Sequence, residues 1–569
     1  MASCLDAIGL WGVVRRLKSR RPARVGATQA ACPLDDPWTV VASCNGTLRG
    51  ADELPLQVAV RVEVAAAADL IEANVEIVRR VLRARGLTCF SVPVERPLRP
   101  RLGVTATRAE VVEALRDAPE GCCVQLGEGA TPAQWFVARD EVTSADWPQL
   151  EAAPVWSVYQ PVTDPHEQVV LGRHYACEVE FWTETDGEDG PGPSTYLPPS
   201  WNCWAKSVQE PGLSAVVDGR RQAGVGVLPS PANPNGTPYF SHLDFPVDLV
   251  YTWVDGSDPK WQARKSEALG TGDVPDASPD ANAASRFGDH QELRFSLRSV
   301  AMYATFVRHI YIVTDGQVPE WLEVDDPTIT VVDHREIFSD DRWLPTFNSH
   351  AIEAQLHHID GLAEHFIYLN DDFFFCRPVA PWQFFHANGI SRFFLSKALI
   401  GGRLATGEDV SVDQAALNSQ QLIQQHFGKM VTRKIRHAPY ALRRSVLAEM
   451  EQTFPDHFER TLRNRIRGKD DLPVVSSLYQ YYAYLTGRAL PAGLRTGYVA
   501  LGAPRFEERL LAAAASGQYD TVCVNDAGGP VGASSPERLF DRVWPFQSSF
   551  ERSDRLELPA ASGGRSIGT

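Results

Sequence analysis

Strand-like and helix-like patterns alternate along the second half of this chain. Apolar runs predict strands there at Val247–Val254, His309–Thr314, Ile329–Val332, Phe366–Leu369 and Arg392–Leu395. Helical spacing of apolar residues predicts helices at Gln291–Tyr303, Ser349–His358, Asp413–Phe427, Ser445–Met450 and Val474–Thr486. This alternation favours an α/β fold, with a mostly parallel, Rossmann-like sheet that helices cover on both faces.

The first half of the chain has a different pattern. Helices are predicted at Ala66–Arg85 and Arg108–Asp117, and short strands at Trp38–Ser43, Thr88–Val94, Cys122–Leu126, Gln134–Ala138 and Ala176–Trp182. The mixture predicts a small α+β domain in front of the α/β domain. We find no chemical motif in it, so the sequence leaves its role open.

A turn-rich segment, Leu228–Gly236, separates the two halves, because its prolines and its Asn-Gly pair mark a break. We therefore expect a basic, flexible leader at residues 1–37, the N-terminal α+β domain at 38–228, a linker at 229–240, the α/β domain at 241–557 and a disordered tail at 558–569.

Composition narrows the class of partner. The net charge of -16 over 569 residues gives no electrostatic footprint for nucleic acid, so no nucleic-acid partner is expected. The basic stretch Arg15–Arg21 allows at most peripheral contact with a membrane. No apolar run reaches the roughly 20 residues that a membrane-spanning helix needs, and the start is a poor signal peptide. We expect a cytoplasmic protein, with placement at the inner face of the membrane left open.

Cysteine usage agrees with that compartment. The ten cysteines are scattered and form no Cys-x-x-Cys pair. They are therefore expected to be reduced thiols, and no zinc site is expected from them.

Acidic residues follow three of the predicted strands. Asp255 follows Val247–Val254, Asp315 follows His309–Thr314, and Asp371-Asp372 follow Phe366–Leu369. Ligands bind at the carboxyl edge of open α/β sheets. Adjacent carboxylates repel each other unless a cation lies between them, and such hard oxygen ligands suit Mg²⁺ or Mn²⁺ bridging to substrate phosphates. An Asp-rich turn that caps backbone amides is the structural alternative.

Basic residues and a helix start supply further candidates. Arg294 and Arg298 share a helix face and would either clamp a phosphate or pair with surface carboxylates. Ser349 is expected to cap the helix that carries Glu353 one turn later. His437 beside a Pro-containing turn is a candidate general base, with a structural histidine as the alternative.

Four blocks of this sequence resemble the Stealth family of sugar-phosphate transferases. They are Tyr251–Asp258, then Arg286–Ser299 with Val313–Gly316 and Leu344–Asp372, then Asn418 with Phe427-Gly428 and His437–Tyr440, and finally Cys523–Asp526 with Leu539–Glu551. They span about residues 245–552 in the family's order. The resemblance implies transfer of a sugar 1-phosphate from a nucleotide sugar, expected to be UDP-linked, to a hydroxyl of a glycan acceptor in capsule or exopolysaccharide synthesis. The products would be a phosphodiester and a nucleoside monophosphate.

The resemblance also implies which residues act. Its matching catalytic positions are Glu353, Asp372, His437 and Arg467. We expect Mg²⁺ or Mn²⁺ to be held by Asp371, Asp372 and Asp526. The expected substrate-binding residues are Trp253, Asp255, Arg286, Arg294, Asn348 and Asn370.

Two other classes stay open on the sequence. A metal-dependent glycosyltransferase would use the same strand-end aspartates and release a nucleoside diphosphate. A scaffold for polysaccharide assembly would bind without catalysis. The sequence fixes neither the sugar, the nucleobase nor the acceptor, and it leaves a homo-oligomer open.

Overall fold

The computed structural model describes residues 38–42, 56–63, 65–92, 99–119, 121–126, 135–137, 147–166, 169–185, 195–199, 208–209, 243–270, 277–278, 280–401, 411–515, 518–526 and 536–552. The predicted leader, linker and C-terminal tail lie outside these residues. Within the described ranges, no helix combines the length and the apolar character needed to cross a membrane.

The described residues of the N-terminal part mix strands with helices. Its strands are β1 (Trp38–Ala42), β2 (Leu56–Arg61), β3 (Cys89–Val92), β4 (Arg101–Val104), β5 (Cys123–Leu126), β6 (Trp135–Val137), β7 (Val155–Tyr159), β8 (Val162–Thr163), β9 (Val170–Leu171), β10 (Cys177–Phe181), β11 (Thr183–Thr185), β12 (Thr195–Leu197) and β13 (Val208–Gln209). The helices are α1 (Ala67–Ala84), α2 (Arg108–Leu115) and α3 (Trp147–Ala152). Its largest sheet has the order β3-β4-β10-β7-β5-β6, which is the α+β composition that the sequence predicts.

The second part carries the remaining elements. Its strands are β14 (Val247–Thr252), β15 (Val307–Thr314), β16 (Ile329–Asp333), β17 (His365–Asn370), β18 (Phe373–Phe375), β19 (Ser391–Leu399), β20 (Arg433–Ile435), β21 (Tyr440–Arg443), β22 (Ala489–Ala492), β23 (Thr496–Leu501) and β24 (Thr521–Asp526). Its helices are α4 (Pro259–Leu269), α5 (Glu292–Tyr303), α6 (His334–Ile337), α7 (Ser349–Glu353), α8 (Ser411–Phe427), α9 (Arg444–Thr453), α10 (Pro455–Arg463), α11 (Tyr479–Leu485), α12 (Phe506–Ala515) and α13 (Pro536–Val543).

A five-stranded sheet with the order β16-β15-β14-β17-β21 forms the centre of this part. The first four strands are parallel, and β21 runs antiparallel beside β17. The predicted α/β fold with a mostly parallel sheet is therefore confirmed. Strand β14 is buried along nearly its whole length, which is why its sequence is a continuous apolar run rather than an alternating one. Its carboxyl end lies beside that of β17, with Thr252 opposite Asn370.

The turn after β14 requires a glycine. A Cβ on Gly256 would lie 2.2 Å from the carbonyl oxygen of Phe287, and the Gly256 amide donates to that same oxygen at 2.8 Å. Only a residue without a side chain allows this close approach. The contact holds the Asp255 turn against the segment that leads into α5.

Two predicted helices differ from the observed ones. The helix expected at Ser349–His358 ends at Glu353 and is followed by a 3-10 turn at Leu356–His358. Asn348 rather than Ser349 caps it, because the Asn348 side chain accepts a hydrogen bond from the amide of His350. The helix expected at Val474–Thr486 begins with a π turn at Val474–Leu478 and continues as α11.

The N-terminal part and the α/β part share a hydrophobic core. Leu171 and Tyr175 from the first part are buried in one cluster with Phe295, Met302 and Phe540 from the second. The Tyr175 hydroxyl also donates to the carbonyl oxygen of Met302 at 3.2 Å. The N-terminal part thus packs directly against α5.

Candidate active site

Four carboxylates gather at the carboxyl edge of the central sheet. Burial raises the pKa of Asp371, and the neighbouring Glu292 and Asp372 raise it further. Burial likewise raises the pKa of Glu292, with Asp289 and Asp372 adding to the effect. Each carboxylate disfavours the ionised form of its neighbours. This concentration of acid groups fits a site that receives a cation.

The segment before α5 is shaped to hold these acids. Gln291 has a φ of 68°, in the left-handed region that residues other than glycine rarely adopt. The amide of Gln291 donates to Asp289 Oδ1 at 2.9 Å, and the amide of His290 donates to Glu292 Oε2 at 2.5 Å. Strained backbone of this kind is concentrated at functional sites.

Asp372 makes contacts on one of its two oxygens. Its Oδ2 accepts a hydrogen bond from the Cys523 thiol at 3.2 Å and from Asn525 Nδ2 at 3.4 Å. The same oxygen lies 3.8 Å from His437 Nε2. Its Oδ1 is buried and has no hydrogen-bond partner within the described part of the chain. A buried carboxylate oxygen without a donor is a fitting ligand for a metal ion.

The donor set around Asp372 suits a divalent cation. One ligand atom each from Asp372, His437 and Cys523 lies within 4.8 Å of the others. Asp526, the third predicted metal ligand, ends β24, and its Oδ2 lies 3.7 Å from His290 Nε2. Carboxylate oxygens and an imidazole are both ordinary ligands for divalent metals. The residues present therefore fit the predicted metal, without selecting its identity.

The edge strand β21 explains why His437 reaches this site. Antiparallel pairing places Tyr440 opposite Tyr368 of β17, so the residues just before β21 lie near the carboxyl end of β17. His437 packs on the Phe373 ring with centroids 4.6 Å apart. Its Nδ1 lies 3.3 Å from the Tyr440 hydroxyl, and 37% of its side chain stays exposed. One ring nitrogen is thus held by the protein while the ring remains accessible.

Glu353 lies at the end of α7 and is buried. Burial raises its pKa to about 7, while Arg467, His437 and the backbone amides of Val475 and Ser476 oppose the rise. Those amides belong to the π turn, a feature that often marks functional sites. Glu353 is therefore within electrostatic reach of both Arg467 and His437. Together with the contact between His437 and Asp372, this brings the four predicted catalytic residues into one site.

Two guanidinium groups meet at one hydroxyl. Arg286 Nη2 donates to Ser411 Oγ at 2.8 Å, and Arg467 Nη1 donates to the same oxygen at 3.4 Å. Arg467 also donates to Ser349 Oγ at 2.8 Å. Burial, with a smaller contribution from the charge on Arg286, lowers the pKa of Arg467 to about 10. Arg286 is also paired with the carboxylate of Asp280. Two guanidinium groups that share one hydroxyl are suited to bind an anion such as phosphate.

Arg294 and Asn348 are engaged inside the protein. Arg294 Nε donates to Glu551 Oε2 at 2.6 Å, which is the pairing with a carboxylate that the sequence left as the alternative. Asn348 Nδ2 donates to the carbonyl oxygen of Asn464 and to Asp471 Oδ2. The contacts of both side chains give no support to their predicted substrate binding, which remains a prediction.

The other three predicted binding residues lie at strand ends. Trp253 is buried just after β14, and Asn370 ends β17. Asp255 Oδ1 accepts from the amide and the hydroxyl of Ser257 at 2.8 and 2.6 Å. That is the turn-capping role anticipated as the alternative for strand-end aspartates. The role of Asp255 in substrate binding remains a prediction.

Several site residues escaped the sequence analysis. They are Asp289, His290, Glu292, Ser411, Cys523 and Asn525. Cys523 and Asn525 could have been found, because Thr521–Asp526 has the same form as the other site strands, an apolar run that ends in polar residues. Asp289 and Glu292 carry no such signal, because only the packing of α5 against β18 brings them to the sheet edge.

Comparison with known proteins identifies the family of this chain. Models of three regions of Stealth proteins match the chain: conserved region 1 at residues 245–273, conserved region 2 at 286–393 and conserved region 3 at 436–484. A Streptomyces coelicolor protein named exopolysaccharide phosphotransferase is 38% identical over 509 residues, which cover 85% of this chain and 83% of the relative. The exopolysaccharide phosphotransferase CpsY of Mycobacterium tuberculosis is 39% identical over 328 residues, 55% of this chain and 60% of its own.

The chain therefore belongs to the Stealth family, as the sequence motifs predict, and it is a phosphotransferase of that family. The matched regions contain Glu353, Asp372, His437 and Arg467. The resemblance in the fourth block, at Cys523–Asp526 and beyond, stays a prediction.

Solved structures give only remote likenesses. The galactosyltransferase LgtC, in complex with donor and acceptor sugar analogues, covers 53% of this chain and 96% of its own with 10% identity and a TM-score of 0.27. Mouse xyloside xylosyltransferase 1 covers 50% of this chain and 99% of its own with 9% identity and a TM-score of 0.25. We draw no conclusion about this chain from likenesses of that size.

Proposed function

We propose that the chain transfers a sugar 1-phosphate from a UDP-linked sugar to a hydroxyl of a glycan acceptor during exopolysaccharide synthesis. The observation that carries the proposal is the proximity of Asp372 to His437, and of Glu353 to both His437 and Arg467. This arrangement would place a cation held by Asp372 in the same site as a phosphate bound by Arg467. The relatives are named exopolysaccharide phosphotransferases, which favours the same chemistry.

In the proposed reaction, the acceptor oxygen forms a bond to the phosphorus that bears the sugar. The bond between that phosphorus and the bridging oxygen breaks, and the nucleoside monophosphate leaves with the electron pair. The hydroxyl proton passes to His437 Nε2. His437 suits this role because its Nδ1, 3.3 Å from the Tyr440 hydroxyl, can carry the other ring proton.

The rest of the work is positioning and neutralisation of charge, which dominate phosphoryl transfer. Arg467 and Arg286 would bind the transferred phosphate from the side of Ser411. Glu353 would position the acceptor or support His437. Trp253 would line the nucleotide pocket at the end of β14.

A bound Mg²⁺ or Mn²⁺ would neutralise charge on the donor pyrophosphate. Asp372 would hold it through the unpartnered Oδ1. Asp371 and Asp526 would be further ligands. A neighbouring cation favours ionised carboxylates, so it would lower the raised pKa values of Asp371 and Glu292.

The test is an assay of released nucleotide. The purified chain would be incubated with a panel of UDP-sugars, Mg²⁺ or Mn²⁺ and short glycan acceptors. Release of UMP that Asp372→Asn abolishes is the expected result. Asp315→Asn is the matched control, since Asp315 also follows a site strand but is bound to Arg264 at 3.0 Å, and it should keep UMP release. Release of UDP would instead establish plain glycosyl transfer.

A further inference from the structure

A second group of metal-ligand side chains lies away from the acidic strand ends. It consists of His357 and His358 in the 3-10 turn after α7, and Glu451 in α9. Helix α9 starts directly after β21, whose last residue pairs with His365 at the first residue of β17. It therefore starts at the edge of the sheet opposite to Asp371 and Asp372. The proposed phosphotransfer uses none of these three side chains.

The geometry of this group is convergent. His357 Nε2 lies 2.9 Å and His358 Nε2 lies 3.1 Å from the same atom, Glu451 Oε2. The two imidazole rings lie side by side with centroids 4.0 Å apart. The other carboxylate oxygen, Oε1, accepts a hydrogen bond from Gln355 Nε2 at 3.0 Å. Gln355 thus orients the carboxylate toward the two histidines.

Exposure leaves a path for a small ion. The His357 side chain is only 2% exposed, whereas those of His358 and Glu451 are 38% and 29% exposed. Burial lowers the pKa of His357. Burial raises the pKa of Glu451, but hydrogen bonds from His357, His358 and Gln355 outweigh it and hold the pKa below its ordinary value. The group therefore presents two imidazoles and one carboxylate, with access from solvent through His358 and Glu451.

We propose that His357, His358 and Glu451 form a binding site for Zn²⁺, with water as the remaining ligand. Two imidazoles and a carboxylate are a ligand set that Zn²⁺ takes in proteins. Tetrahedral Zn²⁺ with bonds of about 2.0–2.2 Å places its ligand atoms about 3.3 Å apart. The observed separations from Glu451 Oε2 need to grow by only a few tenths of an ångström.

Such an ion would tie the turn after α7 to α9. Helix α7 carries Ser349 and Glu353, so the ion would stiffen the support of the active site without touching substrate. This site goes beyond the proposed function and does not depend on it. Cysteine spacing could not reveal it, since its ligands are histidine and glutamate far apart in sequence.

The simpler alternative is a hydrogen-bonded clamp, in which both Nε2–H groups donate to Glu451. Glutamine distinguishes the two, because its side-chain amide still donates a hydrogen bond but is a poor ligand for Zn²⁺. His357→Gln and His358→Gln are therefore the test variants. His309→Gln is the matched control, since His309 Nε2 is likewise hydrogen-bonded, to Thr330 Oγ1 at 2.8 Å.

The experiment titrates the full-length, chelator-treated protein with Zn²⁺ by calorimetry, and with Co²⁺ by visible absorption. We expect wild type and His309→Gln to bind, and each test variant to bind about tenfold or more weakly, as losing a ligand predicts. His437→Gln separates this group from the active site and should keep the binding. The absence of saturable Zn²⁺ binding in wild type would overturn the proposal. So would test variants that bind like wild type, or binding that only His437→Gln removes.

Discussion

The fold controls the ionisation of Glu353. Its carboxylate is buried at the end of α7, and its Oε2 has no hydrogen-bond partner within the described residues. Burial raises its pKa to about 7. In the folded protein Glu353 therefore holds a proton at pH values where the unfolded chain has released it.

This shift predicts a pH dependence of stability. A carboxyl whose pKa is raised in the folded state makes the protein less stable as the pH rises from about 4.5 to about 7. A rise from 4.5 to about 7 corresponds to roughly 3 kcal/mol. Glu353→Gln removes this dependence, so its free energy of unfolding should improve relative to wild type across that window. Urea denaturation at pH 5, 6, 7 and 8 measures it.

Glu449→Gln is the control for that experiment. Hydrogen bonds from Arg488 and Tyr482 lower the pKa of Glu449 to about 2, so Glu449 stays ionised in both states above about pH 5. The difference between Glu449→Gln and wild type should be constant from pH 5 to 8. A constant difference for Glu353→Gln as well would contradict the raised pKa of Glu353.

His437→Gln tests the proposed base. Loss of a general base lowers kcat by about 10²–10⁴-fold, whereas binding of the nucleotide sugar should change little because the donor contacts remain. Calorimetry of donor binding and the assay of UMP release separate the two. Tyr440→Phe removes only the hydroxyl near Nδ1 and should lower kcat less. If His437→Gln instead loses folding or donor binding, His437 is a structural residue.

At the scale of elements, the start of α7 depends on Asn348. Its side chain accepts from the amide of His350 and donates to Asp471 and to the carbonyl oxygen of Asn464. Asp471 is fully buried, so removal of its donor leaves a buried carboxylate less satisfied. This cap holds the helix that presents Ser349 and Glu353.

Asn348→Ala should lower the free energy of unfolding by roughly 2–4 kcal/mol, because α7 loses its cap and both Asp471 and the carbonyl oxygen of Asn464 lose a hydrogen-bond donor. Thr107→Ala is the matched control, because Thr107 caps α2 and its contacts are confined to the capping box with Glu110. It should cost about 1 kcal/mol. If denaturant titrations show that both variants lose the same free energy of unfolding, Asn348 acts only as a helix cap.

The sequence predicted the strands whose burial requires a long run of apolar residues. Strands β14, β15, β16 and β17 lie where apolar runs placed them, because strands covered on both faces are continuously apolar. Strands β18 and β21 escaped prediction. Each has three or four residues, and so short an apolar run does not distinguish strand from turn. Their existence depends on pairing with β24 and β17.

The same limit applies to the candidate site. Asp372 could be predicted because it follows an apolar strand, Phe366–Leu369. His437 could be predicted because it lies in a family motif, His437–Tyr440. Asp289 interacts electrostatically with Asp371, which is far away in sequence, and Ser411 contacts Arg286 across 125 residues. Local sequence does not record such contacts. The π turn that faces Glu353 escaped for a similar reason, since Val474–Thr486 has an ordinary helical pattern.

At the scale of the whole molecule, the N-terminal part supports the site through α5. This helix begins at Glu292, beside the acid cluster, and its Phe295 and Met302 lie in the core shared with the N-terminal part. The backbone of Gln547 also donates to the carbonyl oxygen of Glu63 at 2.9 Å. The shared core therefore couples the stability of the two parts.

Leu171 and Leu102 provide a matched pair to test that coupling. Both are nearly fully buried, but Leu171 lies in the shared core and Leu102 in the core of the N-terminal sheet. Either substitution by alanine should cost roughly 2–5 kcal/mol. Leu171→Ala should speed hydrogen exchange in α12, whose Leu510 lies in the shared core, because local stability follows local packing. Leu102→Ala should speed exchange mainly in the N-terminal sheet. If Leu171→Ala leaves α12 as protected as in wild type, the shared core does not couple the stability of the two parts.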